Sequence, residues 1–290
     1  MDKAWLYIYF PLAEVKRKIL SIKYLSVMMI IVFLNVLYTI TLRKFSYLTG
    51  YAITPYFFPF LVSISFYNMI FFALYIYFFS DAPFVQRNTI YQMIRCGRTR
   101  WGIIQLEKIF LSSFIFNLGS FFLSIMVLLP YISFEKGWGK VIYTLSRTNM
   151  GEAYKISISF MYDIIGKYTP LQFMALTMII LWLAGSAIGI MMFSLSLFVG
   201  RITTLICVSI FVVLPIVLDD FPIVLRPLAI YFSPISWTRI TEIGQFKYGI
   251  PRLPSLIFIL SAYIIMCILF SAAALIRLRT IDLKWSSEEE

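Results

Sequence analysis

The side chains that most often carry catalysis or bind metals are few in this chain of 290 residues, and they are scattered. Histidine is absent, which removes the commonest general base, proton shuttle and metal ligand. The three cysteines, Cys96, Cys207 and Cys267, show neither a CxxC spacing nor a pairing pattern. The sequence therefore excludes an imidazole-dependent enzyme and does not indicate a disulfide or a metal site.

Carboxylates occur side by side at two places, and nucleotide-binding motifs are missing. Asp219-Asp220 follows an apolar run and residues 288–290 form an acidic tail, both of which are typical of solvated ends rather than catalytic pairs. No GxxxxGK[ST] loop is present, because Gly139-Lys140 and Gly166-Lys167 lack the first glycine. We expect no catalytic activity, no bound metal and no cofactor in this chain itself.

The composition is typical of a membrane protein. Hydrophobic residues make up 61% and charged residues 13%, against about 45–50% and about 25% in soluble domains. The mean hydropathy is +0.87. The net charge of +11 is spread over the connections between apolar runs, which suits contact with anionic membrane lipid. A nucleic-acid partner is not expected, because it would require the basic residues on one soluble face.

Six apolar runs contain no Asp, Glu, Lys or Arg and are close to the roughly 20 residues that a helix needs to cross a bilayer. We therefore predict an all-α integral membrane protein with six transmembrane helices. The runs cover about 24–42, 55–79, 109–129, 171–199, 203–218 and 253–276.

The distribution of Lys and Arg predicts the orientation of these spans. With six spans both ends lie on one side, and the segments on that side carry 14 Lys and Arg against 11 on the other. By the positive-inside rule both termini and residues 80–108 are cytoplasmic. Residues 131–170 and 219–252 are then extracellular.

Two segments flanking the spans have patterns of their own. In residues 1–23 the apolar side chains after Pro11 share one helical face, which predicts an amphipathic interfacial helix or, alternatively, a basic stop before the first span. Residues 219–252 are broken by acids and prolines, which predicts a re-entrant helical hairpin before the last span. The shared face consists of Leu12, Val15, Ile19 and Ile22.

The loop 80–108 combines helix signals with arginines. Pro83 suits a helix start and Gly97 a helix end, so a short helix should lie between them with Tyr91 and Ile94 on one side. A basic loop that merely follows the positive-inside rule would explain the arginines, but it would not explain a helix with exposed apolar side chains. Exposed apolar side chains on a loop helix favour docking of another protein.

The fourth span carries a face of small residues. Gly185 and Gly189 are four residues apart and permit close approach of another helix. The spacing is compatible both with packing inside the subunit and with contact between two copies.

The order of these elements resembles the membrane subunit of type-2 ABC exporters: an amphipathic N-terminal helix, two spans, a basic cytoplasmic loop, three further spans, a broken segment before the last span, and a cytoplasmic C-terminus. The broken stretch 221–237 is similar to that family's proline-marked hairpin. The longer outer loop 131–170 departs from the family's minimal form. The closest local match is Gln86-Arg87-Asn88-Thr89, then Arg95-Cys96-Gly97-Arg98-Thr99-Arg100, then Glu107-Lys108.

The resemblance implies that residues 1–290 form one permease domain in the cell membrane. It pairs with a second permease copy or paralogue and with separate ATPase subunits that hold ATP and Mg²⁺. Two other functions stay open: a non-transporting regulatory or assembly subunit, and an ion-coupled carrier, which the uncharged spans disfavour. The implied ATPase-docking residues are Phe84, Arg87, Tyr91, Ile94, Arg95, Arg98 and Arg100.

Overall fold

The computed structural model describes residues 3–80, 87–222, 225–247 and 249–280, which are mostly helical. One short antiparallel hairpin pairs β1 (Phe246–Lys247) with β2 (Ile250–Pro251). The α-helices of the described residues are α1 (Lys3–Ile19), α2 (Ile22–Thr49), α3 (Phe58–Val62), α4 (Ser65–Phe79), α5 (Arg87–Cys96), α6 (Arg98–Leu128), α7 (Gly139–Arg147), α8 (Met150–Ala153), α9 (Tyr162–Lys167), α10 (Pro170–Val199), α11 (Arg201–Asp219), α12 (Arg226–Ile230) and α13 (Leu256–Thr280).

In the described part of the chain, five helices are long and apolar enough to cross a membrane, namely α2, α6, α10, α11 and α13. A sixth crossing requires α3 and α4 together. The chain is therefore an all-α multi-pass membrane protein, as predicted. The helix of the third span begins at Arg98 rather than near residue 109, and its 31 residues measure about 46 Å. Since a bilayer core is about 30 Å thick, α6 extends beyond it.

The N-terminal helix differs from the predicted interfacial helix. It ends at Ile19, because the Ser21 hydroxyl caps a new helix by accepting a hydrogen bond from the Tyr24 amide at 3.2 Å. Ile22 therefore belongs to α2 and is exposed instead of continuing the apolar face. Val15 of that face is buried, and α1 packs along α6.

The second predicted span is not one helix. Between α3 and α4 the chain bends by 89°, and Ile64 has an extended backbone. The side-chain amide nitrogen of Asn68 donates to the Val62 carbonyl at 3.0 Å. A side chain therefore supplies the hydrogen bond that this carbonyl lacks because the helix is broken. The hydrophobic run alone did not reveal this break.

Contacts between distant residues show which helix ends lie together. At the end that we call the lower end, α4 finishes beside the start of α2, where Lys23 bonds to Ser80. The Arg277 side chain donates to the Leu197 carbonyl at 3.3 Å there, so α10 and α13 also finish at this end. At the opposite, upper end, Arg43 of α2 donates to the Val127 carbonyl of α6 at 3.3 Å.

The upper end is covered by the folded segment 131–170. It contains α7, α8 and α9, and α7 buries Val141 and Ile142 on its inner face. Trp138 joins the segment to the spans: its ring nitrogen donates to the Tyr168 carbonyl at 3.1 Å, and its carbonyl accepts from the Thr54 hydroxyl at 2.8 Å. The long loop is thus a packed cap.

The segment before α13 is broken, and its described residues, 220–222, 225–247 and 249–255, contain one short α-helix rather than a helical hairpin. After α11 it contains the five-residue α12, two 3₁₀ turns and the β1–β2 hairpin. Residues 233–242, which we call the buried loop, are all buried at the upper end. The Trp237 ring nitrogen donates to the Ile230 carbonyl at 2.7 Å, and the Tyr263 hydroxyl donates to the Pro234 carbonyl at 2.5 Å. Polar partners for its backbone make this burial possible.

The small-residue face of α10 packs inside the subunit. A Cβ atom at Gly185 would fall against the Tyr75 ring and 2.6 Å from the Ser113 hydroxyl. A Cβ atom at Gly189 would lie 2.6 Å from a methyl carbon of Ile109. These glycines therefore let α4 and α6 approach α10 closely.

Candidate functional site

The predicted loop helix lies at the lower end as α5, between two spans. The helix ends at Gly97, as predicted, where φ is +86° and an L side chain would be strained. The Gly97 amide donates to the Met93 carbonyl at 2.8 Å, and its own carbonyl accepts from the Trp101 amide at 3.0 Å. Only this residue separates α5 from α6, so the two helices are closely joined.

Two side chains anchor α5 to the rest of the subunit. Met93 is 2% exposed and belongs to the hydrophobic core. The Gln92 side-chain oxygen accepts from the ring nitrogen of buried Trp101 at 3.4 Å. Neither residue was predicted as part of the site, although their spacing from Gly97 places them in the last turns of the helix.

The predicted docking residues divide into three groups. Ile94 is 68% exposed, and Arg95 and Arg100 are exposed as well, so all three face outward from the subunit. Arg98 is partly buried and donates to the Arg279 carbonyl at 3.5 Å, which gives it a role within the subunit. Phe84 lies outside the described residues, and for Arg87 and Tyr91 the structure describes only the helical backbone.

A second polar site, which we call the ionic cluster, lies at the upper end. Its charges come from the end of α11, from α12, from the buried loop and from the β2 side of the hairpin, and a serine at the start of α4 joins them. The members are Ser65, Asp219, Arg226, Arg239, Glu242 and Arg252.

Asp219 accepts hydrogen bonds from three elements. One guanidinium nitrogen of Arg239 donates to its two carboxylate oxygens at 2.8 and 3.0 Å. Arg226 donates to Oδ1 at 3.0 Å, and the Ser65 hydroxyl donates to Oδ2 at 2.5 Å. Because Ser65 is the first residue of α4, the carboxylate also lies at the positive end of that helix dipole.

Arg239 lies between two carboxylates. It is 7% exposed, and its second terminal nitrogen bonds to Glu242, which is 5% exposed. The Arg252 guanidinium lies 3.8 Å from the same Glu242 oxygen. The charges thus alternate in sign from Arg226 to Arg252, and the most deeply buried arginine has a carboxylate on each side. Such pairing is required because an isolated buried charge is very costly.

Neutral hydrogen bonds connect the buried loop to the broken second span beside the cluster. The Asn68 amide nitrogen donates to the Thr238 hydroxyl at 2.8 Å. The Thr241 amide donates to the Ser63 hydroxyl at 3.4 Å. The break between α3 and α4 is therefore held by the same segment that carries Arg239 and Glu242.

The chemistry of the ionic cluster is ion pairing rather than metal binding. Three guanidinium groups surround two carboxylates, and such an excess of cations would repel a metal ion. In residues 3–80, 87–222, 225–247 and 249–280, no group of three or more Asp, Glu or Cys lies close enough together to hold one.

The prediction that Asp219 and Asp220 are both solvated ends was wrong for Asp219. Asp220 is exposed, whereas Asp219 turns toward Arg239. The sequence did contain a sign of this ion pairing. Several charged residues lie in the apolar connection between the last two spans, and Arg239 and Glu242 are three residues apart. That signal suggests pairing, but the sequence does not identify the partners.

No family model, curated protein or solved structure matches this chain.

Proposed function

We propose that this chain is the membrane-spanning subunit of an ATP-driven exporter. It forms the translocation pathway with a second permease and docks separate ATPase subunits that bind ATP and Mg²⁺. The observation that carries the proposal is α5, a short helix between two spans that is anchored by Met93 and presents Ile94 and Arg95 outward. An exposed isoleucine beside arginines suits a protein interface, where apolar contacts supply affinity and rim charges supply steering.

The connection from α5 to α6 suits the transmission of movement. Trp101 of α6 is buried and its ring contacts that of Phe193 at 5.9 Å between centroids. Close by, a Cβ atom at Gly102 would lie 2.6 Å from a carbon of Leu278. A partner that displaced α5 would therefore push on α6, and through it on α10 and α13, because packed helices move as rigid bodies.

The outward side of α11 supports pairing with a second permease. Its apolar side chains are uncovered by the described residues and form a shallow groove along one face. A soluble protein would not expose such a face, and in a membrane either lipid or another helix covers it. We assign it to the second copy or paralogue. The groove is lined by Leu205, Ile206, Ser209, Ile210, Val213, Leu214 and Val217.

The proposed location is the cell membrane with both termini and α5 in the cytoplasm. A single cysteine at Arg100 should then be protected from an impermeant maleimide in intact cells, whereas one at Arg147 should react. Both positions are exposed in the structure, at the lower end and in the upper cap respectively. Labelling after permeabilisation is the control, since both sites should then react. Reaction of the Arg100 site in intact cells, with protection of the Arg147 site, would reverse the orientation.

Docking of the ATPase is tested by purifying the tagged chain from its native membranes and measuring the P-loop ATPase recovered with it. Ile94→Ser should reduce that recovery about tenfold at any salt concentration, because it removes an apolar contact that docking would bury. Arg95→Glu should cause a defect that shrinks at high salt, since exposed charges are screened beyond about 8–10 Å.

The matched control for Ile94→Ser is Phe134→Ser. Phe134 is similarly exposed but lies in the upper segment 131–170, so its variant should retain the ATPase. If the Ile94→Ser and Arg95→Glu double variant still copurified with its ATPase and stimulated hydrolysis normally, the docking role would be abandoned.

A further inference from the structure

The helix α11 is connected to the rest of the subunit in a different way at each of its two ends. At the lower end Gly200 is the single residue between α10 and α11, and its φ of +83° is a conformation that suits glycine. At the upper end Asp219, the last residue of α11, lies in the ionic cluster. Between these points α11 packs on α4 and α10, and its opposite face is exposed.

The upper attachment has the properties of a switchable contact. In this cluster Arg239 and Glu242 are buried and Asp219 is partly exposed. Ion pairs that are buried in this way are rarely more stable than well-packed apolar residues of the same size, because desolvation offsets the attraction. The cluster's distinguishing property is that the hydrogen bonds depend on geometry: if Asp219 moves away, Ser65 loses its acceptor and Arg239 keeps only Glu242 as its partner. By contrast, the apolar contacts of the buried Val208 and Val212 along α11 require no particular direction of approach.

We propose that the ionic cluster is a latch that holds the upper end of α11 against the broken second span and the buried loop. When Asp219 separates from Arg239 and Ser65, α11 swings outward about Gly200. No described element covers the outward face of α11 within the subunit, so the swing displaces only what lies outside it. This inference concerns the subunit by itself and does not depend on an ATPase.

The size of the movement follows from the geometry of the helix. The 19 residues of α11 span about 28 Å at 1.5 Å per residue. A rotation of about 10° at Gly200 would therefore displace the upper end by about 5 Å and the lower end hardly at all. This difference between the two ends distinguishes a swing from general loosening.

The test is a pair of distance measurements by pulsed electron spin resonance in a cysteine-free background. One pair of spin labels, at Phe66 and Val217, reports the upper end, and another, at Tyr77 and Ile202, reports the lower end. All four side chains are exposed, and each pair joins α4 to α11. Asp219→Asn keeps the shape of the side chain but removes its charge. We expect it to add a population with the upper distance about 5 Å longer and to leave the lower distance unchanged.

The adjacent carboxylate provides a matched control. Asp220 is exposed and forms no ion pair with a described residue, so Asp220→Asn should change neither distance. The latch is refuted if Asp219→Asn leaves the upper distance as it is, or if both distances lengthen equally. Should Asp219→Asn fail to fold, Ser65→Ala removes one hydrogen bond to the same carboxylate. Ser65→Ala should produce a population at the longer upper distance that is smaller than the one expected for Asp219→Asn. If Ser65→Ala produced no such population, the proposal would also be overturned.

Discussion

Replacing Gly185 by leucine should abolish the folded protein, and replacing it by alanine should lower the free energy of unfolding by about 1–3 kcal/mol. A Cβ atom at this position falls against the Tyr75 ring and lies 2.6 Å from the Ser113 hydroxyl. Tyr75 itself is fully buried, and its ring centroid is 4.1 Å from that of Phe116, so it has no room to retreat. Thermal unfolding in detergent measures the effect.

Gly166 is the matched control for Gly185. It also lies in a helix, α9, but no atom lies within 4 Å of the Cβ position. Gly166→Ala should therefore leave the unfolding temperature nearly unchanged. If Gly185→Ala were as harmless as Gly166→Ala, the close packing of α10 on α4 and α6 would be wrong.

The second large effect is expected at Arg239. Arg239→Met should lower stability by about 3–5 kcal/mol, because it leaves the buried Glu242 with only the partly exposed Arg252, 3.8 Å away, as a partner. Arg100→Met is the control, since Arg100 is exposed and its loss should cost less than about 1 kcal/mol. Chemical denaturation in mixed micelles compares the variants.

A double variant distinguishes two costs of Arg239→Met: the loss of the attraction between Arg239 and Glu242, and the burial of the Glu242 charge without Arg239. Adding Glu242→Met to Arg239→Met removes the carboxylate that the single variant leaves buried. We expect the double variant to recover a large part of the lost stability, because well-packed apolar residues often replace a buried ion pair at little cost. If Arg239→Met cost no more than Arg100→Met, the burial of the ionic cluster would be contradicted.

Properties that depend on neighbouring residues were predictable from the sequence. The length of the apolar runs predicted an all-α membrane protein and the positions of most spans, because a helix in a bilayer satisfies its own backbone and needs only local hydrophobicity. The end of α5 at Gly97 was predictable for a similar reason, since glycine readily adopts the positive φ that ends the helix.

Properties that depend on distant partners were not predictable. The 89° bend between α3 and α4 lies within an apolar run that reads as one span. Its stabilising contacts come from far along the chain: Asn68 bonds to Thr238, 170 residues away, and Ser65 bonds to Asp219, 154 residues away. The sequence shows each of these polar residues, but it does not show that they meet.

The sequence by itself therefore determined the membrane-spanning class, the approximate spans, the lower-end loop helix and the glycines that permit close packing. Only the tertiary structure decided that Gly185 and Gly189 receive α4 and α6 of the same subunit, and that Asp219 pairs with Arg239 while Asp220 faces outward. The physical reason is that burial in a bilayer follows from local apolar length. The partner of a small or charged side chain, in contrast, is set by which helices pack together in three dimensions.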